Sequence, residues 1–217
     1  MLKNYLIIGL SMTSLAISAA EVKMPDLLAT GDAQAGARLV ETCSACHGAQ
    51  GQSINTDWPS LAGQNQRYIS DQLKYFQQGD RENPLMMAVI PYLKTLSDSQ
   101  LLDIAAFYSS QSPSVGQAKD DADQLALGES LYRAGDLERG ISACTACHSV
   151  NGAGNSQAGF PRVSGQQKGY LVSALKEYRN LSRDAGDYSL VMQSASQNLK
   201  DSDIEALANY MHGLYQQ

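Results

Sequence analysis

Cys43-Ser44-Ala45-Cys46-His47 returns 101 residues later as Cys144-Thr145-Ala146-Cys147-His148. The flanks return with it. Trp58-Pro59-Ser60-Leu61-Ala62-Gly63-Gln64 recurs as Phe160-Pro161-Arg162-Val163-Ser164-Gly165-Gln166, now offset by 102, and Tyr68 and Leu73 recur as Tyr170 and Leu175. Further on, Leu101, Ile104, Ala105 and Tyr108 match Ile204, Leu207, Ala208 and Met211 at an offset of 103. A slowly drifting offset is the mark of a tandem duplication with small insertions in its loops. It predicts an N-terminal domain over 21–111 and a C-terminal domain over 125–217. Between them, residues 112–124 hold Ser112-Pro113-Ser114, Gly116 and the acidic Asp120, Asp121 and Asp123, which reads as a solvated linker.

Each half reads as helical, so the fold class expected is all-α. The matched apolar positions fall at i, i+3, i+4 and i+7, one face of a helix. Ala35 to Thr42 leads as a helix into the first cysteine, and Arg67–Gln78 and Gly169–Leu181 form the middle helices. A third helix starts at Ser97, with Gln100 three residues on completing a capping box. In the second half Lys200 stands where Ser97 stands in the first. Gly36 lies seven residues before Cys43, whereas Gly128 lies sixteen before Cys144, which places an insertion around Arg133–Arg139. No stretch alternates as a half-buried strand does. A few short helices per domain bury little surface, so a large apolar cofactor is expected to complete each core.

Residues 1–20 stand apart. Met1 and Lys3 give a positive start, Tyr5 to Ile17 is largely apolar, and Ser18-Ala19-Ala20 is a small-residue cleavage site. That is the grammar of a signal peptide cut near Ala20, and the apolar run is short for a spanning helix. The mature chain of about 197 residues is expected to lack a transmembrane span and to touch membranes only peripherally. Its balance is acidic, with 22 Asp+Glu in the whole chain against 16 Lys+Arg, and no basic stripe, which argues against nucleic acid as a partner.

All four cysteines sit in the two repeated motifs. C-x-x-C-H is the attachment signature of c-type haem. Two thiols three residues apart on a helical turn reach the two vinyl groups of one porphyrin, and the histidine that follows sits beneath the iron. A zinc site built from two C-x-x-C pairs leaves each histidine unexplained. A thioredoxin-like dithiol needs a βαβ context that is absent. Two haem c groups are therefore expected, held through Cys43, Cys46, Cys144 and Cys147, with His47 and His148 as proximal iron ligands. Pro59 and Pro161 stand twelve and thirteen residues beyond those histidines. Their carbonyls are expected to accept from the second ring nitrogen, as the partners of a metal-bound histidine commonly do.

The sixth ligands must come from elsewhere. The one remaining histidine, His212, has no counterpart in the first half and cannot serve two irons. Met192 lies in a polar segment leading into the last helix, and Met86 aligns with it, with the adjacent Met87 as the alternative. Met24 and Met211 are read as non-ligands. A thioether favours reduced iron and raises the potential. It also closes the iron to oxygen and peroxide, which points to electron transfer rather than catalysis.

With both motifs, the Pro59–Gln64 and Pro161–Gln166 segments, the methionine regions and Leu96-Ser97-Asp98 in view, the chain resembles the dihaem cytochrome c4 family over nearly all of its mature length. The resemblance implies two tandem cytochrome c-like domains with haem propionates near their interface and His–Met ligation in both. It also implies a periplasmic role between a quinol-oxidising complex and a terminal oxidase. The alternatives are a cytochrome subunit of a dehydrogenase, such as a sulfide-oxidising flavocytochrome, and a dihaem peroxidase-type enzyme.

Overall fold

The computed structural model describes residues 30–214, so the expected signal peptide and Met24 lie outside the described residues. The N-terminal half comprises α1 (Ala33–Ala37), α2 (Glu41–His47), α3 (Gln66–Gln78), a 3₁₀ turn (Met86–Ala88), α4 (Ile90–Leu93) and α5 (Asp98–Ser109). The C-terminal half comprises α6 (Ala122–Arg133), α7 (Thr145–His148), α8 (Lys168–Arg179), α9 (Ser189–Ser196) and α10 (Asp201–Gly213). Among the described residues, extended pairing is limited to two isolated bridges, Asp136 with Ile141 and Asn155 with Phe160.

The first and last helices of each half cross closely, α1 on α5 and α6 on α10, and a glycine sits at each crossing. A Cβ on Gly36 would lie 2.0 Å from the Asp103 carbonyl oxygen, and one on Gly128 would lie 2.4 Å from that of Ala206. No other residue permits this approach without moving the backbone. The apolar faces found by the repeat then form the two cores: Leu101, Ile104, Ala105 and Tyr108 in one, Ile204, Leu207, Ala208 and Met211 in the other, all buried.

Capping explains where the helices begin. The Asp32 carboxylate accepts from the N–H groups of Gln34 (2.8 Å) and Ala35 (3.2 Å) at α1, and Asp121 accepts from Gln124 N–H (3.1 Å) at α6. Ser97 and Gln100 form the expected box at α5. At α10 the lysine has no acceptor to offer, but Asp203 still accepts from the Lys200 N–H (2.8 Å), so half of the device survives.

Three expectations are corrected. The helix expected over Ala35–Thr42 is two helices with a turn between them, because Gly36 must lie against α5 while Cys43 and His47 face the interior. The middle helix of the second half runs Lys168–Arg179, ending before Leu181, which sits in the left-handed region at φ 62°. The linker is only partly solvated. Asp120, Asp121 and Asp123 are exposed, but the Lys119 N–H and carbonyl pair with the Asn209 side chain (2.8 and 3.2 Å). Pro113 and Ser114 press on Gly63 and Gly165, so the segment is laid across both domains. The extra residues before Cys144 lengthen α6 relative to α1. They then form a tight loop in which Asp136 and Ile141 exchange backbone hydrogen bonds of 2.8 and 2.7 Å.

Candidate haem sites

Helix α2 carries Cys43, Cys46 and His47; α7 carries Cys147 and His148, with Cys144 as the residue preceding it. All four thiols are free of disulfides, and burial pushes the Cys43 thiol up and that of Cys144 up to about 11. Both histidines are buried. His47 Nδ1 lies 2.8 Å from the Pro59 carbonyl oxygen, and His148 Nδ1 lies 2.9 Å from that of Pro161. A carbonyl can only accept, so each Nδ1 bears the hydrogen and each Nε2 keeps its lone pair for a metal. Burial lowers the pKa of both imidazoles, against the opposing effect of the proline carbonyls, which favours the neutral, ligating form.

Met86 lies on the 3₁₀ turn, where the Asn83 side chain accepts from the N–H groups of Leu85 (3.0 Å) and Met86 (3.3 Å). Its side chain packs on the first core, whereas that of Met87 is 64% exposed. Met192 lies in α9 and packs on the second core. The next residue, Gln193, donates to the Arg183 carbonyl (3.0 Å) and ties α9 to the loop before it. Met211 is buried in the second core, and His212 Nδ1 is occupied with the Gln166 carbonyl (2.7 Å).

One cavity of about 830 Å³ runs through both halves, and Cys43, His47, Met86, Cys144, His148 and Met192 all line it. Its walls include Phe76, Leu93 and Ile104 in one half and Leu175, Leu199 and Leu207 in the other. Apolar side chains facing so large a void forfeit their dispersion contacts; a flat apolar group in each half restores them. Between the halves, the same cavity meets two buried arginines. Arg81 donates to Gln72 Oε1 (2.7 Å), and Arg183 donates to Gln72 Oε1 (3.1 Å), the Tyr68 hydroxyl (2.8 Å) and the Tyr170 hydroxyl (3.4 Å). Among the described residues neither guanidinium forms an ion pair with a carboxylate of the chain. Burial opposes ionisation of Tyr170, yet Arg183 and Arg81 outweigh it and pull that phenol below its ordinary value. Uncompensated buried cations are costly, and Arg81 and Arg183 would suit the carboxylates of a bound porphyrin. Thiols, histidines, apolar walls and a cationic floor together fit a haem c in each half.

The sequence reading did not find Arg81 and Arg183. The signal was available, because they stand 102 residues apart, the offset of the segments around Pro59 and Pro161.

The cytochrome c family profile matches residues 33–112 and again 125–214. Cytochrome c4 of Stutzerimonas stutzeri is 40% identical over 193 residues, covering 86% of this chain and 91% of that protein. The crystal structure of reduced recombinant cytochrome c4 from Pseudomonas stutzeri superposes with a TM-score of 0.79 at 41% identity, covering 86% of this chain and all of that one. A more distant relative, the thiosulfate dehydrogenase electron acceptor of Thiomonas intermedia, is 34% identical over 78% of this chain and 77% of its own. Two copies of one fold, each with its thiol pair, histidine and apolar chamber, make the chain a member of the cytochrome c4 family, dihaem electron carriers with two covalently bound haem c groups.

Proposed function

We propose that the protein works in the periplasm, accepting electrons from a quinol-oxidising complex and passing them to a terminal oxidase, and that His47 and Met86 would hold one haem iron and His148 and Met192 the other. The observation that carries this reading is that both histidine–methionine pairs line a single cavity, which favours passing an electron between the domains. Each haem, when bound, supplies a reversible one-electron change at its iron. The chain does the rest. Pro59 and Pro161 hold the imidazoles in orientation and tautomer, Met86 and Met192 would hold each iron with its histidine and close it to small molecules, and the apolar walls keep water out. Among the described residues no helix is long and apolar enough to cross a membrane, which suits a mobile carrier released near Ala20.

A redox titration followed optically tests the ligation. Two low-spin haems with a weak sulfur-to-iron band at the red end are expected; a high-spin spectrum, or rapid cyanide binding by the reduced protein, overturns it. Reduction by quinol-supplied membranes and reoxidation by oxidase-containing ones test the partners. The likeness to the thiosulfate dehydrogenase electron acceptor supports a second reading, service to a dehydrogenase, which co-purification with such a chain would favour.

A further inference from the structure

The seam between the domains is made from the repeat itself. Gln64 and Gln166 are counterparts, and so are Ser60 and Arg162. Gln166 Oε1 accepts from the Ser60 N–H (2.8 Å), and its Nε2 donates to the Ser60 carbonyl (2.9 Å). Gln64 mirrors this: Oε1 accepts from the Arg162 N–H (2.7 Å), and Nε2 donates to the Arg162 carbonyl (2.9 Å). Both glutamines are buried. Each Oε1 also accepts from the N–H of the residue that follows, Asn65 or Gln167, at 2.9 Å, which fixes the orientation of the amide.

The peptide groups grasped in this way are those that hold the histidines. The Ser60 N–H and the Pro59 carbonyl are the two ends of one peptide unit, and that carbonyl accepts from His47. The Arg162 N–H and the Pro161 carbonyl are likewise one unit, and it accepts from His148. Two hydrogen-bonded relays therefore cross the seam, from His47 through a peptide to Gln166 and from His148 through a peptide to Gln64. Accepting a hydrogen bond from a peptide N–H polarises the unit and strengthens the bond its carbonyl accepts. A stronger acceptor on Nδ1–H makes the imidazole a more basic ligand, and a more basic ligand favours the oxidised iron.

We propose that each glutamine lowers the reduction potential of the haem in the other domain: Gln166 acts on the N-terminal haem and Gln64 on the C-terminal one. The inference rests on His47 and His148 being iron ligands. Both glutamines are positioning residues, acting through a peptide and never touching the iron. Parting the domains breaks both relays, so loosening the seam raises both potentials together.

The test uses the full haem-loaded chain with Gln166→Leu, Gln64→Leu and Gln166→Glu. Each haem is titrated separately through its methionine methyl resonance, and the Nδ1–H signals of the reduced protein are recorded. Gln166→Leu is expected to shift the N-terminal haem toward reduction by about threefold, which is about 28 mV at 59 mV per decade, and to move the His47 Nδ1–H signal upfield. The C-terminal haem stays where it was. Gln64→Leu gives the mirror image. Gln166→Glu keeps an acceptor, now charged, and shifts the N-terminal haem the opposite way; it also carries the test if a leucine variant does not fold. Shifts in the domain bearing the substitution, equal shifts in both haems, or unmoved potentials and Nδ1–H signals overturn the proposal. A failure of histidine ligation would appear differently, as a missing low-spin spectrum in the unsubstituted protein.

Discussion

The two domains solve one problem with different local parts, most visibly around their methionines. In the N-terminal domain Met86 rides on a 3₁₀ turn whose first N–H groups donate to the Asn83 side chain. In the C-terminal domain Met192 sits inside an eight-residue helix tied down by Gln193. Behind each segment stands a clamp from the middle helix. Gln77 donates to the carbonyls of Leu93 (2.7 Å) and Leu96 (2.8 Å), while its counterpart Arg179 donates to the Leu199 carbonyl (3.1 Å) and the Asp201 carboxylate (2.7 Å). A neutral amide gripping two carbonyls and a cation bridging a carbonyl to a surface carboxylate reach the same end. What the repeat preserves is the position of the restraint, not its chemistry.

The largest effects come from the methionines themselves. Met86→Ala is expected to lower the N-terminal potential sharply, by a sizeable part of the roughly 0.8 V that axial ligands span, and Met192→Ala to do the same in the C-terminal domain. Met87→Ala should leave both potentials unchanged. Separate redox titrations of the three variants check this, and an effect of Met87→Ala alone reverses the assignment.

The clamps come next. Gln77→Ala strands the Leu96 carbonyl and leaves that of fully buried Leu93 with the Leu96 N–H as its remaining donor (3.1 Å), and should cost about 2 kcal/mol in denaturant unfolding. Arg179→Ala loses one carbonyl contact and a largely exposed ion pair, and should cost about half as much. Equal losses would mean that the charge matters more than the carbonyls.

Smaller again is the contrast where the middle helices end. Gly79 takes φ 87° with nothing within 4 Å of a notional Cβ, whereas Leu181, its counterpart, takes φ 62° with its side chain exposed. Gly79→Leu should therefore cost about 1 kcal/mol through the backbone alone. Leu181→Gly should gain about the same, since it relieves the same left-handed strain and carries the same unfolded-chain term with opposite sign. Thermal unfolding measures both.

The smallest effect is acid sensitivity. Helix α5 is capped by a neutral Ser97–Gln100 box, but the start of α10 is held by the charged carboxylate of Asp203. Burial works against that carboxylate, yet Arg139 and the Lys200 N–H outweigh it and hold its pKa below the ordinary 3.8. A depressed carboxylate contributes fully above its unfolded value and loses that contribution as pH falls through the lower folded one. Circular dichroism during acid titration should show the C-terminal domain weakening below about pH 4 in this way, and Asp203→Asn should flatten that dependence.

Much of this was legible in the amino-acid string. The repeated C-x-x-C-H, the helical faces of α5 and α10 and the Ser97 cap are local patterns, set by residues within one or two turns of each other. The break between α1 and α2 was not legible, because Ala35–Thr42 holds no proline or cap signal that places a turn at Arg38–Val40; the turn exists so that Gly36 can touch α5. The packed linker was hidden for the same reason. Its partners, Asn209 above all, lie some 90 residues away.

By itself, then, the order of residues determined that the chain is a duplicated helical protein with two sites for attached haem, since thiol spacing and apolar periodicity are short-range properties. Tertiary structure alone decided which of two adjacent methionines lines the cavity, that Arg81 and Arg183 meet between the domains, and that each glutamine reaches the peptide behind the other domain's histidine. Such meetings depend on how distant segments pack: the repeat offset marks Arg81 with Arg183 and Gln64 with Gln166 as counterparts, but being counterparts does not make residues neighbours.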